Sequence, residues 1–189
     1  MASPVLDIIF CGKGVVAERC LDVLLQLGFL PRIVCENPVG LDIGKPDLLL
    51  SVHCPALFSK TLLSIPKIGC LNLHNSFLPW NKGAHACTWA IVDDTPHGAT
   101  LHWIDEGVDT GDIFFQKELF ILDHDTADSL YRRTVDLEIS IFEIGIKRFI
   151  DGDRTRIKQN GRGSFHGKKD ITRLIRALTT SDIGIIYKT

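Results

Sequence analysis

The chain has 189 residues, of which 45% are hydrophobic and 23% are charged, and its formal net charge is −2. This length fits one medium domain with a small appendage, and the near-neutral charge excludes a strong global attraction to nucleic acid or anionic membranes. Six cysteines lie mostly in apolar patterns without a C-x-x-C pair, which favours free thiols in a reducing compartment. No apolar run is long enough to span a bilayer, and the start does not fit a signal peptide, so we expect a cytoplasmic protein.

Apolar runs of strand length alternate with helical patterns along most of the chain. In chain order, the predicted elements are a strand at 6–10, a helix from 15 to a stop at Gly28, strands at 32–36 and 47–52, a short helix at 56–65, a strand at 70–74, a helix at 83–94, strands at 98–105 and 111–121, and a long helix capped by Asp125 or Thr126 and stopped by Gly152. This alternation predicts an α/β fold with a largely parallel sheet.

The glycine turn after the first strand suggests one function. Residues 12–17, GKGVVA, match G-x-G-x-x-A between a strand and a helix, and Glu36 closes the next strand about 20 residues later. Gly12 and Gly14 would admit a pyrophosphate at the helix N-terminus, and Glu36 would bind a ribose hydroxyl. A tight turn with glycine for packing explains the motif equally well, so an NAD-binding module or small oxidoreductase stands as an alternative.

A second pattern carries more chemistry. In the strand GCLNLH, Leu71 and Leu73 face one side, while Asn72 and His74 share the other. The downstream segment 104–112, IDEGVDTGD, offers Asp109 in a glycine-rich turn, and we expect both segments to meet at the carboxyl ends of parallel strands. An amide that binds an oxyanion, an imidazole that moves protons and a carboxylate that sets its charge suit acyl transfer to an amine.

These two segments resemble the formyltransferase family that uses 10-formyltetrahydrofolate, with its N-x-H-x-S-x-L-P and D-x-G-x-D-T-G motifs. The resemblance is strong over residues 66–118 and covers the following positions: Asn72, His74, Ser76, Leu78, Pro79, Lys82, Gly83, Asp105, Gly107, Asp109, Thr110 and Gly111. It implies a Rossmann-like formyltransferase fold and 10-formyltetrahydrofolate as co-substrate, and it makes Asn72, His74 and Asp109 the catalytic residues.

The resemblance also assigns binding residues. The folate pocket of the family corresponds to these positions: Val52, His53, Cys54, Leu57, Phe58, Ile104, Asp105, Glu106 and Val108. Residues after the catalytic strand are expected to meet the acceptor: Phe77, Trp80, Asn81 and Lys82. The ammonium of Lys82 suits a diphosphate, although it also fits a surface lysine at a turn. Formyl transfer needs no metal, and the histidine spacings match no standard zinc pattern, so we expect no metal site.

Three branches of the family differ in the amine that receives the formyl group. Methionyl-tRNA formyltransferases carry a substantial C-terminal domain, whereas about forty residues follow the long helix here. Glycinamide ribonucleotide transformylases have a Gly-Ser-Asn type of phosphate loop, which CGKGVVAE does not match. The segments PWNKGAHACTWAI, HGATLHWID and GSFHGKKDI are most similar to nucleotide-sugar N-formyltransferases. The sequence therefore predicts a nucleotide-linked amino-dideoxy sugar as acceptor, for example dTDP-4-amino-4,6-dideoxyglucose or its 3-amino isomer, and no nucleic-acid or membrane partner.

Two regions do not fit a simple α/β core: the connection between the second and third strands, and the C-terminal residues after the long helix. The first βαβ region looks abridged, because only VGLDIGKPD bridges the second and third strands. We expect a catalytic core over residues 1–152 and a short basic appendage over 153–189. Residues 145–176 hold ten Lys or Arg against three Asp, which fits either a solvated tail or an anion site or dimer arm. By similarity to related enzymes we expect a homodimer.

Overall fold

A computed structural model describes residues 6–177. The elements in chain order are β1 (Ile8–Gly12), α1 (Val15–Gln26), β2 (Ile33–Cys35), β3 (Leu48–Val52), α2 (Lys60–Leu63), β4 (Gly69–His74), β5 (Lys82–Gly83), α3 (Ala86–Val92), β6 (Gly98–Trp103), β7 (Ile113–Glu118), α4 (Ala127–Ile150), β8 (Phe165–His166) and α5 (Asp170–Ala177). The prediction of an α/β fold is confirmed. The predicted helices at 56–65 and 83–94 are shorter in the structure, as α2 and α3.

Six strands form one sheet in the order β2-β1-β3-β4-β6-β7, and β5 and β8 form a separate two-stranded sheet. The first four strands of the large sheet are parallel, whereas β6 runs antiparallel to β4 and β7 runs antiparallel to β6. The sequence predicts a mostly parallel sheet, and the two antiparallel strands at one side are a detail that its pattern does not show. Because β6 runs antiparallel to β4, the loop after β6 begins at the end of the sheet where β4 starts.

The two faces of the sheet bury different residues because strand side chains alternate. On one face, side chains such as Phe10, Leu50 and Leu71 pack with α1 and α4. The opposite face has a smaller cluster that includes Ile9, Leu49 and Cys70. Leu71 and Leu73 therefore anchor β4 in the larger core, as predicted, and the residues between them face the other side.

The connection between β2 and β3 is irregular over residues 36–47, where an α/β fold usually has a crossover helix. Ile43, which is 1% exposed, fills the smaller cluster from this segment. Arg32 fixes the segment, because its Nη2 donates to the Ile43 carbonyl at 2.7 Å while its Nε donates to Asp7 at 2.8 Å. The abridged first βαβ region is thus real, and a buried side chain on a loop covers the sheet there.

Local signals set the ends of the helices. Gly28 follows α1 with φ of 84°, and Gly152 follows α4 with φ of 95°, both in the left-handed region that favours glycine. Of the two N-cap candidates for α4, Thr126 is the cap: its hydroxyl accepts from the N–H of Ser129, and the Ser129 side chain accepts from the N–H of Thr126. None of the helices in the described part of the chain is long and apolar enough to cross a membrane.

The chain returns to the sheet after α4. The Trp103 indole donates to the Thr155 carbonyl at 2.8 Å, and Ile157 forms an antiparallel bridge with Ile113 at the outer edge of the sheet. β8 then pairs in parallel with β5, the next strand after β4 in the chain. Several basic side chains of this region have intramolecular partners: Arg148 with Asp153, Lys158 with Asp112, and Arg156 over the ring of Trp103.

Candidate active site

A cavity of about 690 Å³ opens on the side of the sheet that carries the smaller cluster. Its walls come from the ends of β3 and β4, the loops after β3 and β6, and the residues around β5 and β8. The volume lies within the range of about 300–1,000 Å³ that is typical of small-molecule sites. The cavity collects Asn72, His74 and Asp109, the three residues that the sequence predicted to be catalytic.

Asn72 is held in one orientation by residues of the two neighbouring strands. Ser51 of β3 and His102 of β6 lie opposite Asn72 in register, so the three side chains share one face. The Ser51 hydroxyl donates to Asn72 Oδ1 at 2.7 Å, and Asn72 Nδ2 lies 3.1 Å from His102 Nε2. His102 Nδ1 donates to the Trp103 carbonyl at 2.8 Å, and Nε2 of the same ring is the atom that accepts from Asn72 Nδ2. One N–H of the amide is thereby used, and the second is available to a ligand.

His74 ends β4, and the residue is 7% exposed. Its Nε2 lies 3.2 Å from the Asn81 carbonyl and 3.7 Å from Asp109 Oδ2. Both neighbours are acceptors, so Nε2 carries the proton. Burial lowers the pKa of His74, and His102 lowers it further, while Asp109, the Asn81 carbonyl and Glu138 act in the opposite direction. The ring is therefore neutral at pH 7.

Asp109 reaches the site by a different route from the one predicted. Because β6 is antiparallel to β4, the carboxyl end of β6 lies beside the start of β4, and the Ile104 N–H donates to the Cys70 carbonyl at 2.9 Å. The loop from 104 to 112 folds back over the sheet to place Asp109 beside His74 and His102. The expectation that both segments meet at carboxyl ends of parallel strands is wrong for this half of the site.

The Asp109 carboxylate has a fixed environment. Its Oδ2 accepts from the Gly83 N–H at 2.8 Å, and its Oδ1 lies 3.5 Å from His102 Nε2. Burial opposes ionisation, but the two histidines and the Gly83 N–H outweigh it and hold the pKa of Asp109 well below its usual range. Asp109 is thus an ionised carboxylate next to a neutral imidazole, with a backbone φ of 53°. Left-handed backbone at a residue with a side chain is uncommon and requires support from its surroundings.

The residues assigned to folate by resemblance lie around the same cavity, with one exception. The lining includes His53, Cys54, Leu57, Phe58, Ile104, Asp105, Glu106 and Val108. Val52 does not line it, because its side chain is fully buried in the core on the opposite face of the sheet. Strand alternation explains this outcome, since Ser51 faces the cavity and its neighbour must face away.

The predicted acceptor residues are placed differently. Phe77, Trp80, Asn81 and Lys82 all lie in the described part of the chain, yet none of them lines this cavity. Asn81 is fully buried: its Nδ2 donates to Thr95 at 2.8 Å, and its Oδ1 accepts from Ser164 at 3.0 Å. Its side chain is not free to meet a sugar, and its carbonyl instead positions His74. The predicted sugar contact of Asn81 is therefore wrong.

Several residues of the cavity were not predicted from the sequence. Ser51 and His102 were visible as polar residues within apolar strands, but only strand register shows that they flank Asn72. Phe165, His166, Gly167 and Lys168 also line the cavity. They belong to the region 153–189, for which the sequence predicts a short appendage. The motif GSFHGKKDI is the sequence feature that indicates their place in the site.

His53, which lines the cavity, is hydrogen-bonded to a buried acidic residue. It follows β3 with φ of 52°, and its Nε2 lies 2.7 Å from Oε1 of Glu138, a fully buried residue of α4. Burial works to lower the pKa of His53, but the hydrogen bond and charge of Glu138 outweigh it and raise the pKa. A buried hydrogen bond between an imidazole and a carboxyl group thus lies under one wall of the cavity.

The glycine turn has an evident packing role. A Cβ at Gly12 would lie 2.6 Å from the Val52 carbonyl oxygen and 2.7 Å from Ala17 Cβ, so the close approach of α1 to the sheet requires glycine there. Glu36 is paired with Lys13 at 2.9 Å on the surface. All six cysteines are free thiols. Within residues 6–177, no group of three His, Cys, Asp or Glu side chains is placed to hold a metal ion.

Comparison with known proteins gives consistent results. A family model described as "Formyl transferase" matches residues 36–144. A methionyl-tRNA formyltransferase from Methylacidiphilum infernorum is 38% identical over 126 residues, covering 66% of this chain and 39% of that protein. A dTDP-4-amino-4,6-dideoxyglucose formyltransferase from Mycobacterium bovis is 32% identical over 151 residues, covering 80% of this chain and 64% of that protein. The chain thus spans less than two thirds of the length of either relative.

A solved structure matches over a larger share of its length. The formyltransferase PseJ from Anoxybacillus kamchatkensis, in complex with UDP-4,6-dideoxy-4-formamido-L-AltNAc and tetrahydrofolate, has a TM-score of 0.79 and 28% sequence identity. The match covers 93% of this chain and 93% of that one.

Proposed function

The chain belongs to the formyl transferase family, and on that premise we propose that it transfers a formyl group from 10-formyltetrahydrofolate to the amine of a nucleotide-linked amino-dideoxy sugar. The observation that carries the proposal is the arrangement of Asn72, His74 and Asp109 on one wall of a cavity of about 690 Å³. The amide offers a fixed donor, the imidazole is neutral, and the carboxylate is ionised.

The cavity fits the proposed co-substrate. Its wall on the side of the β3 and β6 loops is largely apolar, with Leu57, Phe58, Ile104 and Val108, which suits a flat pterin ring. 10-Formyltetrahydrofolate would supply an activated formyl carbonyl. Asn72 would donate its second amide N–H to the carbonyl oxygen as that oxygen gains negative charge. Preorganised donors of this kind provide much of the rate enhancement in acyl transfer.

Asp109 and His74 divide the movement of protons. Oδ2 of Asp109 is bound to the Gly83 N–H, so Oδ1 is the oxygen proposed to accept a proton from the attacking amine. His74, neutral and with its proton on Nε2, would polarise the formyl group and help pass the proton toward the departing nitrogen. Both roles need a charge state that holds near pH 7, which the directions of the two pKa shifts provide.

The acceptor would enter from the opposite side of the cavity, where the tail forms the wall. Phe165 is 56% exposed and offers an aromatic surface for a base or sugar, and exposed Lys168 offers a cation for a diphosphate. These two residues replace Asn81 in the proposed acceptor site. Lys82, Phe77 and Trp80 remain proposals for contacts further from the reacting atoms.

The choice of a nucleotide sugar over methionyl-tRNA rests on extent of similarity. The match to the dTDP-amino-sugar enzyme covers 80% of this chain, and the match to PseJ covers 93% of both chains. The methionyl-tRNA relative is 38% identical, but the chain spans only 39% of it. Methionyl-tRNA is therefore the second candidate acceptor, favoured by identity within the matched region alone.

Three further expectations belong to the same proposal. A homodimer is expected by similarity to related enzymes, and light scattering at working concentration tests it. A cytoplasmic location is supported by the six free cysteines, since a reducing compartment keeps thiols free. The net charge of −2 supports the expectation of neither nucleic-acid nor membrane partners.

The decisive experiment incubates the protein with 10-formyltetrahydrofolate and a panel of dTDP- and UDP-linked amino sugars. Mass spectrometry should detect a gain of one carbonyl unit on one sugar, with formation of an equal amount of tetrahydrofolate. Methionyl-tRNA is tested in parallel, and formylation of tRNA alone would reassign the acceptor. Absence of transfer to every acceptor, in a protein that binds NAD tightly, would refute the proposal.

A further inference from the structure

The segment that follows the long helix, residues 153–168, touches the parts of the chain that hold two of the catalytic side chains. We call it the return segment. It lies beyond residues 36–144, which match the family model, so that match assigns it no role. Its β8 strand pairs with β5, through Lys82 N–H to the Ser164 carbonyl at 3.0 Å and Ala84 N–H to the His166 carbonyl at 2.8 Å. Gly83, between those two residues, donates its N–H to Asp109.

Gln159 of the return segment binds the backbone on both sides of the Asp109 turn. Its Nε2 donates to the Asp109 carbonyl at 2.8 Å and to the Gly111 carbonyl at 2.7 Å. Asp109 has a φ of 53°, a conformation that a residue with a side chain adopts only when its surroundings fix it. The two hydrogen bonds clamp that turn, and with it the direction of the carboxylate.

Ser164 acts on the other catalytic side chain through one intermediary. Its Oγ accepts from the Asn81 N–H at 2.8 Å and donates to Asn81 Oδ1 at 3.0 Å. Asn81 is also left-handed, with φ of 52°, and its carbonyl lies 3.2 Å from His74 Nε2. Ser164 therefore fixes the carbonyl that selects the tautomer of His74.

We propose that Gln159 and Ser164 are positioning residues of the active site, Gln159 for Asp109 and Ser164 for His74, so that the return segment completes the site. The proposal rests on the proposed formyl transfer for its kinetic effect, although its geometric content does not depend on the acceptor. Both residues act on left-handed turns, and their bonds reach a catalytic carboxylate and a catalytic imidazole separately. Removing either one should displace its own target and leave the other in place.

Other contacts of the return segment supply matched controls. Lys158, next to Gln159, pairs with Asp112 at 3.0 Å, and its side chain is 82% exposed. The variant Lys158→Gln removes a tail contact of similar location without touching the Asp109 turn. Ser164→Thr retains a hydroxyl, whereas Ser164→Ala removes it, so this pair separates the hydrogen bonds from the general packing of the strand.

The kinetic test measures kcat and KM for 10-formyltetrahydrofolate in Gln159→Leu, Ser164→Ala, Ser164→Thr and Lys158→Gln. Misplacement of a catalytic group by about 1 Å costs up to about 100-fold, so we expect kcat to fall by about 10- to 100-fold in Gln159→Leu and Ser164→Ala. KM should change little, and Ser164→Thr and Lys158→Gln should stay close to the wild type. A kcat of Gln159→Leu and Ser164→Ala equal to that of Lys158→Gln would overturn the proposal.

A second measurement needs no acceptor. The titration of the His74 ring is followed by NMR in protein labelled at histidine, where His74 faces Asp109 from the loop, His102 from β6 and Glu138 from α4. Displacing Asp109 in Gln159→Leu should lower the titration midpoint of His74, because the carboxylate favours the charged ring. Ser164→Ala should change the Nε2 shift of His74. Unchanged His74 signals in both variants would overturn the proposal even if the wild type formylates a sugar.

The two readouts distinguish the proposals. If the wild type transfers no formyl group but the His74 signals move as expected, the proposed function fails and the positioning role stands. If Gln159→Leu does not fold, the comparison of Ser164→Ala with Ser164→Thr supports or overturns the positioning role by the same criteria.

Discussion

Replacing Asn72 by alanine tests the central element of the proposed chemistry. The amide is fixed by Ser51 at 2.7 Å and by His102 at 3.1 Å, so its remaining N–H has a defined direction before any ligand arrives. Loss of one oxyanion donor of this kind lowers kcat by about 10²–10³, which corresponds to about 2.7–4 kcal/mol of transition-state stabilisation. We expect a loss of that size in Asn72→Ala, mainly in kcat.

The same substitution should cost little stability. It leaves the Ser51 hydroxyl and His102 Nε2 without their partner, and a buried polar group left unpaired costs about 1–3 kcal/mol. Because Asn72 lines the cavity, water can reach both groups, so the expected cost is near the lower limit of that range. For a protein of this size, about 1 kcal/mol lowers Tm by about 2–4 °C. The variant should therefore remain folded at the assay temperature.

The assay measures initial rates of tetrahydrofolate formation at saturating concentrations of both substrates, with thermal melting recorded on the same samples. Asn72→Asp is the matched variant: it keeps the size of the side chain and an acceptor for Ser51 but has no N–H to donate. It should lose as much activity as Asn72→Ala. If either variant keeps a kcat within tenfold of the wild type, Asn72 is not the oxyanion donor and the reasoning from its fixed amide fails.

The charge state of His74, the contact between β5 and β8, and the His53–Glu138 pair can each be tested separately. Burial lowers the pKa of His74 from its ordinary value of 6.5, so the ring should gain a proton only below that pH. In a pH–rate profile, kcat should therefore stay level as the pH falls to 6.5 and decline only below it. A decline centred above pH 6.5 would contradict a neutral His74. Gly83→Ala should lower activity and reduce the free energy of unfolding, measured by chemical denaturation, by about 1–3 kcal/mol. The reason is that a Cβ at Gly83 would lie 2.3 Å from a backbone oxygen of β8, at a φ of 91°. Gly161→Ala is the control for backbone strain alone and should retain activity, because Gly161 has a φ of 93° but a Cβ there would have no atom within 4 Å. His53→Ala should lower the free energy of unfolding by about 3–5 kcal/mol, because it leaves the buried carboxyl group of Glu138 without its partner. Adding Glu138→Leu should restore most of that loss. If the single variant is as stable as the wild type, His53 does not compensate for the burial of Glu138.

Several features could be predicted from the sequence because they depend on local chemistry. The apolar periodicities indicated the order of strands and helices, and Gly28 and Gly152 marked helix ends through their freedom to adopt positive φ. The alternation in GCLNLH indicated the correct faces for Leu71 and Asn72, since successive strand residues must point to opposite sides. The two motifs around Asn72 and Asp109 were enough to identify the family, which the match over residues 36–144 confirms.

Other features depend on contacts between distant segments. The direction of β6 follows from its pairing with β4, so the path by which Asp109 returns to His74 was not visible in either segment alone. Val52 had to face the core once Ser51 faced the cavity, and Asn81 became buried once Ser164 packed against it. Each error came from treating a residue near a motif as a residue near the ligand.

The order of residues specifies which chemical groups this protein offers: an amide and an imidazole on one strand face and a carboxylate in a glycine-rich turn. How these groups are held depends on contacts between segments that are distant in the chain. Ser51 and His102 orient Asn72 across neighbouring strands, and Gln159 and Ser164, 50 and 83 residues away from the positions they bind, brace Asp109 and Asn81. Side-chain type and strand alternation are local properties, whereas the hydrogen bonds that fix these side chains come from whichever segments the fold brings into contact.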